Sequence, residues 1–172
     1  MIIKSYGEFW NPFVVDWKSR ELIGFGPNRE PNKFPFSINF WEAKGIYVLL
    51  REFKTIYVGQ AFAGEGSIAK RLYDHLSDRH AGRWDMFSWY SVSKPNKTNK
   101  TVSKCENRQL KLNTAVDTLE ALAILITDPP LNRKRNSIPG AIEFQQTGKL
   151  KPKSTTQYLE EILSNLSNPN QS

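Results

Sequence analysis

The chain has 172 residues, a hydrophobic fraction of 39% and a formal charge of +7. That fits one compact domain with extensions and supplies enough apolar material for a core. A single cysteine, Cys105, excludes an internal disulfide framework and any zinc site built on thiolates, and a reducing, cytoplasmic compartment is expected. No apolar run approaches the ~20 residues of a membrane span, so no membrane partner is expected. The excess of Lys and Arg points instead to a polyanion, nucleic acid first.

Residues 1–43 are rich in aromatics, among them Trp10, Phe13, Trp17, Phe25, Phe36, Phe40 and Trp41, and are broken by turns such as 26–32. They predict an irregular layer packed on the main domain. Two short strands follow, 45–50 and 55–58, joined by a tight connection. Gly64 and Gly66 mark a bend, and Ser67 is placed to cap a helix running from 68 to about 77. The stretch 86–92 alternates as a third strand. Residues 93–111 are polar and basic, an exposed loop or insertion. A second helix spans 114–126 and stops at Pro129-Pro130. A strand at 141–144 follows, and then a helix at 154–166 with Tyr158, Leu159, Ile162, Leu163 and Leu166 on one stripe. The expected fold is α+β, a small mixed or antiparallel sheet flanked by helices over 44–145. The aromatic extension precedes it, and the amphipathic helix and tail of 146–172 follow.

Charged and polar residues interrupt this pattern. In the first helix, positions 68, 71, 72, 75, 76 and 79 form the inward stripe. Ile68, Leu72 and Leu76 suit it, whereas Arg71 and His75 do not. The latter stand four apart, one turn from each other, and must meet an anion, a carboxylate or water, or lie at the stripe's edge and snorkel. In the second helix, Glu120 sits among Leu119, Ala121, Leu122 and Ala123. It reads as a buried ion pair with Arg71 or as a ligand for a hard cation such as Mg²⁺. Tyr47 and Tyr57, ten positions apart on neighbouring strands, read as core rings with hydroxyls at the rim or as site residues.

In this order and spacing the residues resemble the GIY-YIG endonucleases. The namesake triplets correspond to Gly45-Ile46-Tyr47 and Tyr57-Val58-Gly59, the helix arginine to Arg71 and the residue four later to His75. The metal-binding glutamate corresponds to Glu120 and the late asparagine to Asn132. The match covers about 44–133. It implies a DNA endonuclease using one divalent ion, Mg²⁺ or Mn²⁺, held by Glu120. Tyr47, Tyr57, Arg71, His75, Glu120 and Asn132 would be catalytic, with Tyr47 as the favoured base. Gln60 stands where some members carry lysine. Double-stranded DNA is the expected partner, tracked by Gln60, Lys70, Arg79, Arg83, Lys97, Lys100, Arg133, Lys134 and Arg135. Monomer and homodimer are both compatible with the sequence. Two other readings stand beside this one. The first is a nucleic-acid-binding module of the same fold without cleavage. The second is a nuclease of a different superfamily built on Glu52-Phe53-Lys54, whose Glu-x-Lys form falls in the expected hairpin connection.

Overall fold

The computed structural model describes residues 2–27, 35–62, 66–103, 112–127, 138 and 140–146. Nine strands and two α-helices are formed among them: β1 (Ser5–Trp10), β2 (Ile23–Phe25), β3 (Ser37–Asn39), β4 (Gly45–Arg51), β5 (Lys54–Ala61), α1 (Ile68–Asp74), β6 (Met86–Ser91), β7 (Pro95–Asn96), β8 (Thr101–Val102), α2 (Leu112–Thr127) and β9 (Ile142–Glu143). A five-stranded sheet in the order β5-β4-β6-β1-β9 is antiparallel except for its last pair. The architecture is therefore α+β with a mainly antiparallel sheet. No helix among the described residues is long and apolar enough to cross a membrane.

Alternation along β4 divides the interior in two. Tyr47 and Leu49 point into one core with Phe87 and Trp89 of β6, Trp10, Phe40, and Ile68, Ala69 and Leu72 of α1. Val48 and Leu50 point the opposite way, into a second core with Tyr6, Tyr90 and Ala121, Leu122 and Leu125 of α2. The two helices thus cover opposite faces of the sheet. Strands that are apolar on both faces, such as β4, are what a sheet covered in this way requires.

Two local features set the geometry of the β4–β5 hairpin. Its turn is formed by Glu52 (φ 51°) and Phe53 (φ 63°), both left-handed as a two-residue type I′ connection demands. The register then slips between Leu49 and Leu50, so that Leu50 faces Thr55 while Leu49 faces Tyr57. One extra residue, Ile56, is accommodated there, and everything after it changes face. Without the slip Tyr57 would point away from Tyr47; with it, both rings share a face.

The amino-terminal region departs from the expected irregular layer. Ser5–Trp10 is a strand of the main sheet, pairing with β6 on one side and β9 on the other. Aromatic content had masked its alternation, which is itself interrupted by an irregularity between Gly7 and Trp10. Helix α1 also ends earlier than its apolar stripe, at Asp74, with His75 as its C-cap. The expected loop at 93–111 begins as a small ribbon, β7 paired with β8. The predicted helix at 154–166 lies outside the described residues.

Candidate functional site

Four of the residues singled out from sequence come together at the sheet face covered by α1. The glycines of β4 and β5 make this possible. At Gly45 (φ +153°) a Cβ would stand 3.0 Å from Ser91 Cα and closer still to the Tyr90 carbonyl oxygen, so only glycine lets β4 lie against β6 there. At Gly59, which faces Tyr47 across the hairpin, a Cβ would stand 2.8 Å from Tyr47 Cε1 and closer still to Cζ and the hydroxyl. The Tyr47 ring lies across the bare Gly59 backbone. Its side chain is fully buried, and its hydroxyl is 2.8 Å from His75 Nε2.

His75 reaches this position because α1 is anchored at its start. Ser67 caps the helix, its side chain accepting from the Lys70 N–H at 3.2 Å, and Ile68, Ala69 and Leu72 bury the inner side. One turn after Leu72 the backbone leaves the helix and inserts the His75 ring, only 5% exposed, beneath the two tyrosines. The Tyr57 ring centroid is 5.4 Å from that of His75 and 6.2 Å from that of Tyr47. Trp84 closes the floor, its Nε1–H donating to the His75 carbonyl at 3.4 Å.

Two residues that sequence reasoning missed complete the group. Asp78 Oδ2 is 2.6 Å from His75 Nδ1, and its Oδ1 accepts from the His80 N–H at 2.7 Å. The His80 ring centroid lies 4.6 Å from that of Tyr57, tilted to it, and 4.9 Å from that of His75, edge-on. A signal was present: the chain has only two histidines, and both lie within five positions, with an aspartate between them.

The hydrogen-bond directions follow from which groups can accept. Arg71 acts on the Tyr47 hydroxyl as a donor and a positive charge, and a guanidinium has no acceptor. The Tyr47 O–H can donate to His75 Nε2 at 2.8 Å when that nitrogen is unprotonated. The Asp78 carboxylate can only accept, so His75 Nδ1 carries a proton and donates it at 2.6 Å. Desolvation pushes the Asp78 carboxyl up, but the His80 N–H and the His75 and His80 rings outweigh it and hold the group below its usual value. Burial dominates at Tyr47. Despite the opposing Arg71 hydrogen bond, the phenol is pushed up to about 12 and stays protonated in the resting site.

Arg71 itself is exposed rather than buried, its charge held by the Tyr47 hydroxyl and by the nearby Tyr57 and Asp74. It can face a solvent-side anion while touching the phenol.

Glu120 does not join this group. It is exposed on α2, whose inward residues Ala121, Leu122 and Leu125 belong to the core on the sheet's other face. The expectation that it is enclosed by apolar neighbours is corrected by the exposure of Val116 and Leu119 on the same helix. No hydrogen bond or ion pair among the described residues links Glu120 to Arg71, and α2 packs on the opposite face of the sheet from α1. Among the described residues, the carboxylate hydrogen-bonded to His75 is that of Asp78.

Of the expected DNA-tracking residues, Gln60, Arg83, Lys97 and Lys100 are exposed, with the Lys97 ammonium 4.0 Å from the centre of the Phe36 ring. Lys70 is ion-paired with Asp74. Arg79 donates its Nε–H to His80 Nε2 at 3.2 Å. Asn132, Arg133, Lys134 and Arg135 lie outside the described residues. Glu52 lies in the exposed hairpin turn and Lys54 follows it, and the Glu52 N–H bonds the Asp85 carboxylate. No family model, curated protein or solved structure matches the chain.

Proposed function

We propose that the chain is an endonuclease that hydrolyses DNA phosphodiesters at the Tyr47–Tyr57–Arg71–His75 cluster, as its resemblance to the GIY-YIG enzymes implies. The observation that supports this most is the meeting of both motif tyrosines with His75 and Arg71 on one sheet face. A packed core would have no use for that combination. Arg71 binds the scissile phosphate and gains strength as negative charge develops on it. Because the Tyr47 hydroxyl is fully buried, bound substrate must open a path for the attacking water to it from the exposed Arg71 side. As the water's oxygen bonds to phosphorus, the P–O bond to the departing strand breaks and that departing oxygen takes a proton from solvent. The water's own proton passes to the phenol oxygen while the phenol proton passes to His75 Nε2, and Asp78 stabilises the imidazolium that forms. Tyr57, half-buried beside them, orients the substrate.

Magnesium or manganese belongs to the same reading through the family resemblance, but none of these steps runs through it, because Glu120 stands apart from the cluster. That separation favours one competing reading, a DNA-binding module that does not cut. Supercoiled plasmid incubated with purified protein, with and without Mg²⁺, separates the two. Nicking is expected from the wild type, with a loss of roughly 10²- to 10⁴-fold in Tyr47→Phe if the phenol relays the proton. Plasmid that is bound yet stays intact in every metal condition would favour the binding module and refute hydrolysis.

A further inference from the structure

The turn after α1 holds more donor atoms than the proposed hydrolysis needs. His75, Asp78 and His80 each offer a ligand atom within 4.8 Å of those of the other two. We propose that these three residues form a site for one divalent transition-metal ion of the zinc class, distinct from any magnesium used in cleavage.

The donor set decides the class of ion. Two imidazoles and one carboxylate suit Zn²⁺, Co²⁺ or Ni²⁺, whereas Mg²⁺ takes oxygen ligands almost exclusively and keeps its waters. Three protein ligands leave a tetrahedral ion one open position for water or an anion. The site is also supported from behind. The second nitrogen of His75 lies 2.8 Å from the Tyr47 hydroxyl. With the ion on Nδ1 the neutral ring carries its proton on Nε2 and donates it to the phenol oxygen, the outer hydrogen bond that orients a ligating histidine. Asp78 is steadied by the His80 N–H.

Little needs to move. The His75 Nδ1–Asp78 Oδ2 hydrogen bond of 2.6 Å must open to roughly the 3.3 Å that separates ligands around a tetrahedral ion at ordinary bond lengths. The ion takes the place of the Nδ1 proton, and the ring stays neutral by carrying its proton on Nε2 instead. Asp78 is exposed and His80 partly so, so the entry side is open to solvent. Two cations work against the ion, Arg71 beside Tyr47 and Arg79, whose Nε–H occupies His80 Nε2. They make this an exchangeable site rather than a closed structural one.

Direct binding to the full, untagged chain tests the site without reference to cleavage. After treatment with chelator and desalting, Co²⁺ is titrated while its visible d–d absorption is followed. One equivalent is expected to bind with a tetrahedral-type spectrum, Zn²⁺ to displace it stoichiometrically, and millimolar Mg²⁺ to leave it unchanged. His80→Ala and Asp78→Asn, both at solvent-accessible positions, are expected to weaken Co²⁺ roughly 10- to 100-fold while circular dichroism shows the wild-type fold. Cys105→Ser is expected to bind as wild type. Affinity unaltered in both ligand variants, loss in Cys105→Ser, or equal competition by Mg²⁺ would each overturn the assignment. None of these outcomes depends on whether the protein cuts DNA.

Discussion

Replacing Gly59 by alanine tests the placement of Tyr47 more sharply than replacing Tyr47 itself. The backbone at Gly59 is not left-handed, since Gly45, Gly82 and Gly140 are the described glycines with positive φ. Alanine is therefore conformationally acceptable and would by itself stabilise by ~0.4–1 kcal/mol through the unfolded chain. Against this, the new methyl group would stand 2.8 Å from Tyr47 Cε1 and nearer to Cζ and Oη. The ring is fully buried and faces Trp89 across the sheet, so it cannot retreat without shifting its neighbours. Overpacking of this kind costs about 1–3 kcal/mol, leaving Gly59→Ala net destabilised by roughly 1–2 kcal/mol once the backbone gain is subtracted. Urea unfolding reads the midpoint, with an unchanged slope expected. In a Tyr47→Leu background the collision disappears, and Gly59→Ala becomes neutral or mildly stabilising. The double-mutant cycle then yields a coupling of about 1–3 kcal/mol. A coupling near zero, with Gly59→Ala neutral in both backgrounds, would mean that the Tyr47 ring does not lie on Gly59, and the cluster built around its hydroxyl would fall with it.

Three other outcomes follow from the same contacts. Because burial raises the Tyr47 phenol to about 12 from about 10 in an unfolded chain, its contribution is complete below pH ~10 and is lost as pH rises to ~12. On the order of 2–3 kcal/mol disappears over that window, and Tyr47→Phe should show a correspondingly flatter alkaline decline in denaturant midpoint. Ser67→Ala removes the α1 cap and is expected to cost about 1 kcal/mol, with any cleavage activity falling too because Arg71 and His75 ride on that helix. Glu120→Gln, exposed and outside both cores, should leave the urea midpoint within about 0.5 kcal/mol of wild type; a large drop would reveal a buried partner.

What the sequence made legible was local. The two motif strands, the helix after Ser67 and the strand at 86–92 were all announced by alternation, capping or turn residues, and they form. Less visible were features that depend on pairing at a distance. Ser5–Trp10 joins the sheet because β6 offers it an edge, which no pattern within residues 1–43 discloses. Tyr57 shares a face with Tyr47 only through the slip at Ile56, and simple alternation from the turn would have sent it the other way. Glu120 was misjudged for a related reason. Its neighbours in sequence are apolar, but Leu119 is itself left exposed, so apolar company along the chain did not mean enclosure. Asp78 and His80 escaped notice because the helix was extended to about 77, which placed them beyond a helix end instead of on the turn that folds back under His75.

The choice between the two tyrosines as the group that handles the proton, within the proposed hydrolysis, follows from acceptors rather than from acidity. A phenol raised to about 12 is a poor resting base, so acidity does not argue for Tyr47. But a proton must also have somewhere to go. Tyr47 has His75 Nε2 at 2.8 Å, backed by Asp78 at 2.6 Å. Tyr57 has ring contacts with both histidines but no described hydrogen bond from its hydroxyl to either. Burial then helps instead of hindering. It keeps bulk water from competing for His75, and it disfavours a free phenolate, so that the two proton transfers at Tyr47 must be concerted and no charge need rest on the ring.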